Sequence, residues 1–241
     1  MHKPMVIGHR GAAGEAPENT MASFALALRQ GAQAIELDVH ITKDGEIVVC
    51  HDGTLNRTTN GSGHICEHNW QALQQLDAGS WFSEEFTGER IPLLSEVFDL
   101  VPRGMLINVE VKHAYKGRME QALIAFLRAA NRYEDVVVSS FDHKVIKRLK
   151  KAEPKIQVGL LYNANLIDHP GYAKKMGVDI CSLHPHHQCM EPRDIAAAVA
   201  AGLQVYPYTV NELIDYQRLI EAGVSGIITD FPGRLSTYLN K

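Results

Sequence analysis

The sequence predicts a (β/α)₈ barrel, and three observations carry that prediction. Short apolar, strand-like runs alternate with runs of helical period from Met5 to Leu239. Eight such strands can be counted in 241 residues, close to the ~250 residues typical of this barrel. The first strand is followed by Gly8-His9-Arg10-Gly11, which lacks the glycine fingerprint that a doubly wound, dinucleotide-binding sheet would carry.

Met5–Gly8 is the first strand, and His9-Arg10-Gly11 follows at its C-terminal end. Pro17-Glu18-Asn19-Thr20 supplies helix-start chemistry for a helix over residues 21–30, which Gly31 stops. Residues 34–39 form the second strand, Lys43-Asp44-Gly45 a tight turn, and Ile47–Cys50 leads to His51-Asp52. From Gly53 to Pro92 the texture changes. Glycines and polar residues mix with Trp70, Trp81, Phe82 and Phe86 without a long periodic run, so residues 53–92 read as an excursion after strand two. The remaining chain alternates. Helices are expected at 94–101, 119–131, 145–152, 172–176, 195–201, 213–222 and 234–239, and strands at 105–111, 136–140, 156–161, 180–183, 203–208 and 226–229. Such alternation implies parallel βαβ units within one domain over residues 1–241.

Composition excludes several classes of function. Hydrophobic residues make up 45% of the chain, enough for a sizeable core. With 24 basic against 28 acidic residues there is no basic footprint for nucleic acid. No apolar run reaches the ~18 residues of a membrane span, and the N-terminus does not read as a signal peptide. Cys50, Cys66, Cys181 and Cys189 are scattered, which suits reduced thiols in a cytoplasmic protein. A homodimer is compatible with everything in the sequence.

The informative stretch is Ala34-Ile35-Glu36-Leu37-Asp38-Val39-His40. Residues two apart on a strand share a face, so Ile35, Leu37 and Val39 pack one way while Glu36 and Asp38 point the other. Val109-Glu110-Val111-Lys112 repeats the pattern. Barrel enzymes place their chemistry at the C-terminal ends of strands, where His9, Glu36, Asp38, Glu110 and Lys112 all fall. Three neighbouring carboxylates repel one another unless a cation sits between them. An oxygen-only ligand set suits Mg²⁺ or Ca²⁺, with Mn²⁺ an alternative, better than zinc. Arg10 and Lys112 offset the acidic charge for an anionic substrate, and Arg grips phosphate oxygens bidentately. His9 and His51 are then the groups able to move protons near neutral pH.

His9-Arg10-Gly11, Pro17-Glu18-Asn19-Thr20, Glu36-x-Asp38, His51-Asp52, Leu55-x-Arg57-Thr58-Thr59 and Glu110-x-Lys112 together resemble the glycerophosphodiester phosphodiesterase family. Tyr208-Thr209-Val210-Asn211 and Gly226–Pro232 extend the resemblance to the last strands. It implies a barrel with a small insertion after strand two. It also implies divalent-cation-dependent cleavage of small glycerophosphodiesters, such as glycerophosphocholine or glycerophosphoethanolamine, to glycerol 3-phosphate and an alcohol. By motif, Glu36, Asp38 and Glu110 become metal ligands, His9 and His51 the acid–base pair, and Arg10 and Lys112 phosphate contacts. Tyr208 stands where members of the family often carry Trp, and keeps an aromatic wall for the substrate. A phospholipase-type enzyme acting on intact lipids is the nearest alternative.

Three features receive plainer readings. His184-Pro185-His186-His187 lacks the spacing of a helical metal-ligand pair and reads as a loop at the barrel mouth. His64 and His68 are expected to face solvent. Asp230 is read as a residue that helps start the last helix ahead of Pro232, with a pocket acid the alternative.

Overall fold

The protein is described from a computed structural model covering residues 3–240. The elements run β1 (Met5–His9), α1 (Met21–Arg29), β2 (Ala34–Ile41), β3 (Ile47–Val49), α2 (Trp70–Leu73), α3 (Leu94–Leu100) and β4 (Leu106–Val111). There follow α4 (Arg118–Ala130), β5 (Val136–Ser140), α5 (His143–Ala152), β6 (Gln157–Tyr162), α6 (His169–Lys175) and β7 (Ser182–Pro185). The chain finishes with α7 (Pro192–Ala200), β8 (Gln204–Val205), α8 (Leu213–Glu221), β9 (Gly226–Thr229) and α9 (Pro232–Leu239).

Eight parallel strands form a nearly closed barrel in the order β8-β7-β6-β5-β4-β2-β1-β9, and β3 pairs antiparallel with the outer end of β2. The β8–β9 seam has no regular ladder. Single bonds close it: Ser225 N to Val205 O at 3.0 Å, Ile228 N to Pro207 O at 3.0 Å and Val210 N to Ile228 O at 2.9 Å. The (β/α)₈ expectation therefore holds, and most element boundaries fall within three residues of those predicted. Two strands differ. β7 occupies Ser182–Pro185 rather than 180–183, and only Gln204–Val205 of the predicted 203–208 strand is regular. His186 and Tyr208 continue that pairing as an isolated bridge.

The main core lies between strands and helices, where alternate residues such as Ile35, Leu37, Val39, Val109 and Val111 meet Phe24, Val97, Leu123 and Leu127. Inside the barrel the floor is Ile7, Ala34, Tyr206 and Ile228. Residues 53–92 pack a small cluster of their own, with Leu55, Ile65, Leu73, Ala78 and Ile91 against Val48 and Cys50 beside β3. Asp77 ties this excursion together, accepting bonds from the Gly79, Ser80 and Gly88 amides. His64 is exposed as expected, whereas His68 is half-buried.

Candidate active site

Period-2 alternation places Glu36 and Asp38 on the inner face of β2, and Glu110 opposite Asp38 on β4. All three are buried, and one oxygen from each lies within 4.8 Å of the others. No other such grouping of potential metal ligands occurs among the described residues. Around it stand the cations. Arg10 donates its backbone amide to Glu36 Oε2 at 2.9 Å, and its Nε lies 3.4 Å from Asp38 Oδ2. Its φ of 51° is left-handed, a conformation that holds the amide toward the acid while the side chain folds over the cluster. Lys112 Nζ is 2.6 Å from Glu110 Oε1 and 3.3 Å from Asp38 Oδ1.

These contacts divide the acids. Burial pushes the Asp38 carboxyl up, but Lys112 and Arg10 outweigh it and bring it down to about 2. Burial, together with the Asp38 charge, drives Glu110 up to about 7 and Glu36 well above the usual carboxylate range. Asp38 Oδ1 makes no hydrogen bond. A buried, oxygen-only set with a carboxylate oxygen that makes no hydrogen bond and two acids that resist ionisation fits a hard divalent cation.

The sequence-predicted histidines flank the cluster. His9 ends β1 with Nε2 4.0 Å from Glu36 Oε2. His51 follows β3, its Nδ1 2.6 Å from Asp52 Oδ1, and burial lowers its pKa below the ordinary imidazole value. Tyr208 is half-buried across the barrel mouth, hydrogen-bonded to Tyr162 O at 3.2 Å and edge-on to Phe141. The eight site residues expected from sequence thus share one end of the barrel.

Several neighbours were not given roles by the sequence. Asn19 donates to Asp38 Oδ2 at 2.8 Å. Glu18 accepts from Arg10 at 2.8 Å and from two nitrogens of Arg57, which also binds Asp52. Both lie in the motifs that carried the resemblance, which is the signal that could have found them. Asp230 corrects the helix-start reading. The residue capping α9 is Phe231, and the Asp230 carboxylate instead meets His9 Nδ1 at 2.6 Å. His184 is also corrected: it is no mouth loop but a fully buried residue of β7 inside the barrel, 2.8 Å from Ser182 Oγ. Gly159 makes the room, since a Cβ there would stand 2.4 Å from His184 Nε2. His186 and His187 do lie in the loop after β7, His186 edge-on to Tyr208 and His187 toward Asp215.

Fold and site together define a (β/α)₈ barrel with a buried acidic cluster at the C-terminal ends of its strands. The chain matches the glycerophosphoryl diester phosphodiesterase family over residues 9–234. It is 42% identical to a glycerophosphodiester phosphodiesterase of Caldanaerobacter subterraneus, over 99% of both chains. A Bacillus subtilis enzyme of the same name is 32% identical over 95% of this chain and 84% of its own. Among solved structures, an Oleispira antarctica phosphodiesterase in complex with the product sn-glycerol-3-phosphate superposes with a TM-score of 0.89, at 32% identity over 99% of this chain and 97% of that one. The protein belongs to the glycerophosphodiester phosphodiesterase family. No helix among the described residues is long and apolar enough to cross a membrane.

Proposed function

We propose that this enzyme hydrolyses small glycerophosphodiesters, such as glycerophosphocholine or glycerophosphoethanolamine, to glycerol 3-phosphate and an alcohol, with a divalent cation bound by Glu36, Asp38 and Glu110. The observation that carries the reading is the buried triad of carboxylates set between His9 and His51 and overhung by Arg10 and Lys112. A bound cation, Mg²⁺, Ca²⁺ or Mn²⁺, supplies Lewis-acid charge for the phosphate. The product bound in the Oleispira structure supports the glycerol 3-phosphate half of the substrate.

The chain's own residues then divide the remaining work. Arg10 and Lys112 bind phosphate oxygens and stabilise the charge that gathers on them. The glycerol hydroxyl on the carbon next to the phosphate ester already lies near phosphorus, so its attack gains from proximity. His9 takes that hydroxyl's proton while His51 protonates the leaving alcohol, giving a cyclic phosphate. Water, deprotonated by His51, then opens the ring, and His9 returns its proton to the glycerol oxygen. Tyr208 walls the mouth. The test is to strip the protein with a chelator and assay it on glycerophosphocholine with Mg²⁺, Mn²⁺ or Ca²⁺ restored. Glycerol 3-phosphate appearing only with a cation is the expected result. Equal turnover without one, or turnover only of intact diacyl lipid, overturns the reading.

A further inference from the structure

Asp230 is held by both of its carboxylate oxygens at the mouth of the barrel. Its Oδ1 meets His9 Nδ1 at 2.6 Å, and its Oδ2 accepts a 2.7 Å bond from Asn211 Nδ2. Asn211 is braced in turn. Its Oδ1 accepts from the Asp230 amide at 3.0 Å and from Thr229 Oγ1 at 3.2 Å, and that hydroxyl also meets Tyr216 Oη at 2.8 Å. Thr229 and Tyr216 are fully buried, so the carboxylate is fixed from behind. The bond from His9 lowers the Asp230 pKa against the effect of burial, which keeps the group ionised.

An ionised carboxylate only accepts hydrogen bonds, so the imidazole nitrogen facing it must carry a hydrogen. That leaves His9 Nε2, on the side of Glu36, as the nitrogen with a free lone pair. His51 and Asp52 repeat the arrangement, with one difference. Asp52 takes two bonds from the Arg57 guanidinium, at 2.8 and 3.1 Å. The remaining side-chain partner of Asp230 is a neutral amide, so its charge is presented to His9 without a hydrogen-bonded cation competing for it.

We propose that Asp230 is a positioning residue for the reaction, with Asn211 as its brace. It fixes His9 in the Nδ1–H tautomer, aims Nε2 at the substrate hydroxyl and stabilises the imidazolium formed when Nε2 accepts that proton. The Nδ1 hydrogen stays where it is throughout. The proton gained at Nε2 leaves again to the glycerol oxygen when the ring opens, so the imidazole ends each cycle neutral. This deepens the reading of the site given above and rests on it.

The test is Asp230→Asn, assayed as the cation-loaded enzyme on glycerophosphocholine. Its kcat should fall about a hundredfold or more, the scale of a lost general base, with KM and Mn²⁺ affinity within about threefold of wild type. In a His9→Ala background the same change should cost no more than about twofold, since residues acting through one another are not additive. A downfield imidazole proton resonance, assigned to His9 Nδ1 by its loss in His9→Ala, should be present in wild type and absent in Asp230→Asn. Should Asp230→Asn fail to fold, Asn211→Ala replaces it, with an expected tenfold fall in kcat. Wild-type kcat in the variant, an equal loss in the His9→Ala background, or no such resonance in wild type overturns the proposal. An inactive wild type would instead sink the substrate reading, while the resonance still decides the pairing.

Discussion

Lys112 and Glu110 are neighbours but one on the same strand face, and their side chains meet at 2.6 Å. The acid therefore carries its own counter-ion. Even so, burial and the nearby Asp38 charge hold the Glu110 carboxyl up at about 7. The folded, cation-free protein thus binds a proton there that the unfolded chain has released above about pH 4.5. This group's contribution to stability falls as pH rises from that value through 7 and levels off above it, whereas the buried imidazoles of His40 and His184, held down at about 4 and about 3, contribute in the opposite sense. The full Glu110 swing corresponds to about 3 kcal/mol at most, several degrees of Tm for a chain of this size. Melting curves of chelator-treated protein between pH 5 and 8 should show wild type losing Tm relative to Glu110→Gln as pH rises, a loss reversed by added Mg²⁺.

The acids should answer differently to removal. Glu36 is ionised at a cost, so Glu36→Gln should raise the Tm of the cation-free protein. Asp38 is the shared counter-ion of Arg10 and Lys112, so Asp38→Asn removes one carboxylate from each cation while Glu18 and Glu110 remain. Its Tm should fall, by less than the ~3–5 kcal/mol of a buried charge left with no partner. Both variants should lose hydrolysis and Mn²⁺ binding. Scanning calorimetry that moves both melting points the same way would contradict this division.

Arg10 offers a planar fork, and Lys cannot reproduce it. Arg10→Lys should lower kcat/KM by about tenfold to a hundredfold with little change in Tm, a loss of one charge-assisted contact. Lys112→Met should cost several kcal/mol of transition-state stabilisation. Steady-state kinetics on glycerophosphocholine measures both, and an Arg10→Lys enzyme with wild-type constants would remove the fork from the account.

Two in-line displacements retain configuration at phosphorus, and one inverts it. The adjacent-hydroxyl route predicts retention with a chiral, isotopically labelled thiophosphate diester. It also predicts no turnover of a substrate lacking that hydroxyl. Inversion would leave His9 and His51 their proton roles but assign the attack to water directly.

Much of this centre was legible because strand alternation is strict. Glu36, Asp38, Glu110 and Lys112 declare their shared face through the apolar residues between them. What local pattern could not show was partnership at long range. His9 and Asp230 are 221 residues apart, and only barrel closure brings them together. Asp230 therefore read as a helix-start residue. His184 was misplaced for a different reason. The predicted strand stopped at residue 183, yet β7 runs to Pro185, and the space for the imidazole comes from Gly159 on the adjacent strand. The Arg57–Glu18 pairing was hidden likewise, since it joins the excursion to a loop 39 positions earlier.

The order of strands around the barrel has a consequence for how the protein is made. β1 pairs on one side with β2, soon after it in the chain, and on the other with β9, which ends at residue 229. On the ribosome, β1 must keep one backbone edge open until β9 has left the tunnel. Such an edge invites pairing with other nascent chains, and contacts of this span form slowly. The same late closure delivers Asp230 to His9. A stalled or prematurely released chain would lack that contact and leave an adhesive edge, so quality control of this protein should focus on incomplete products.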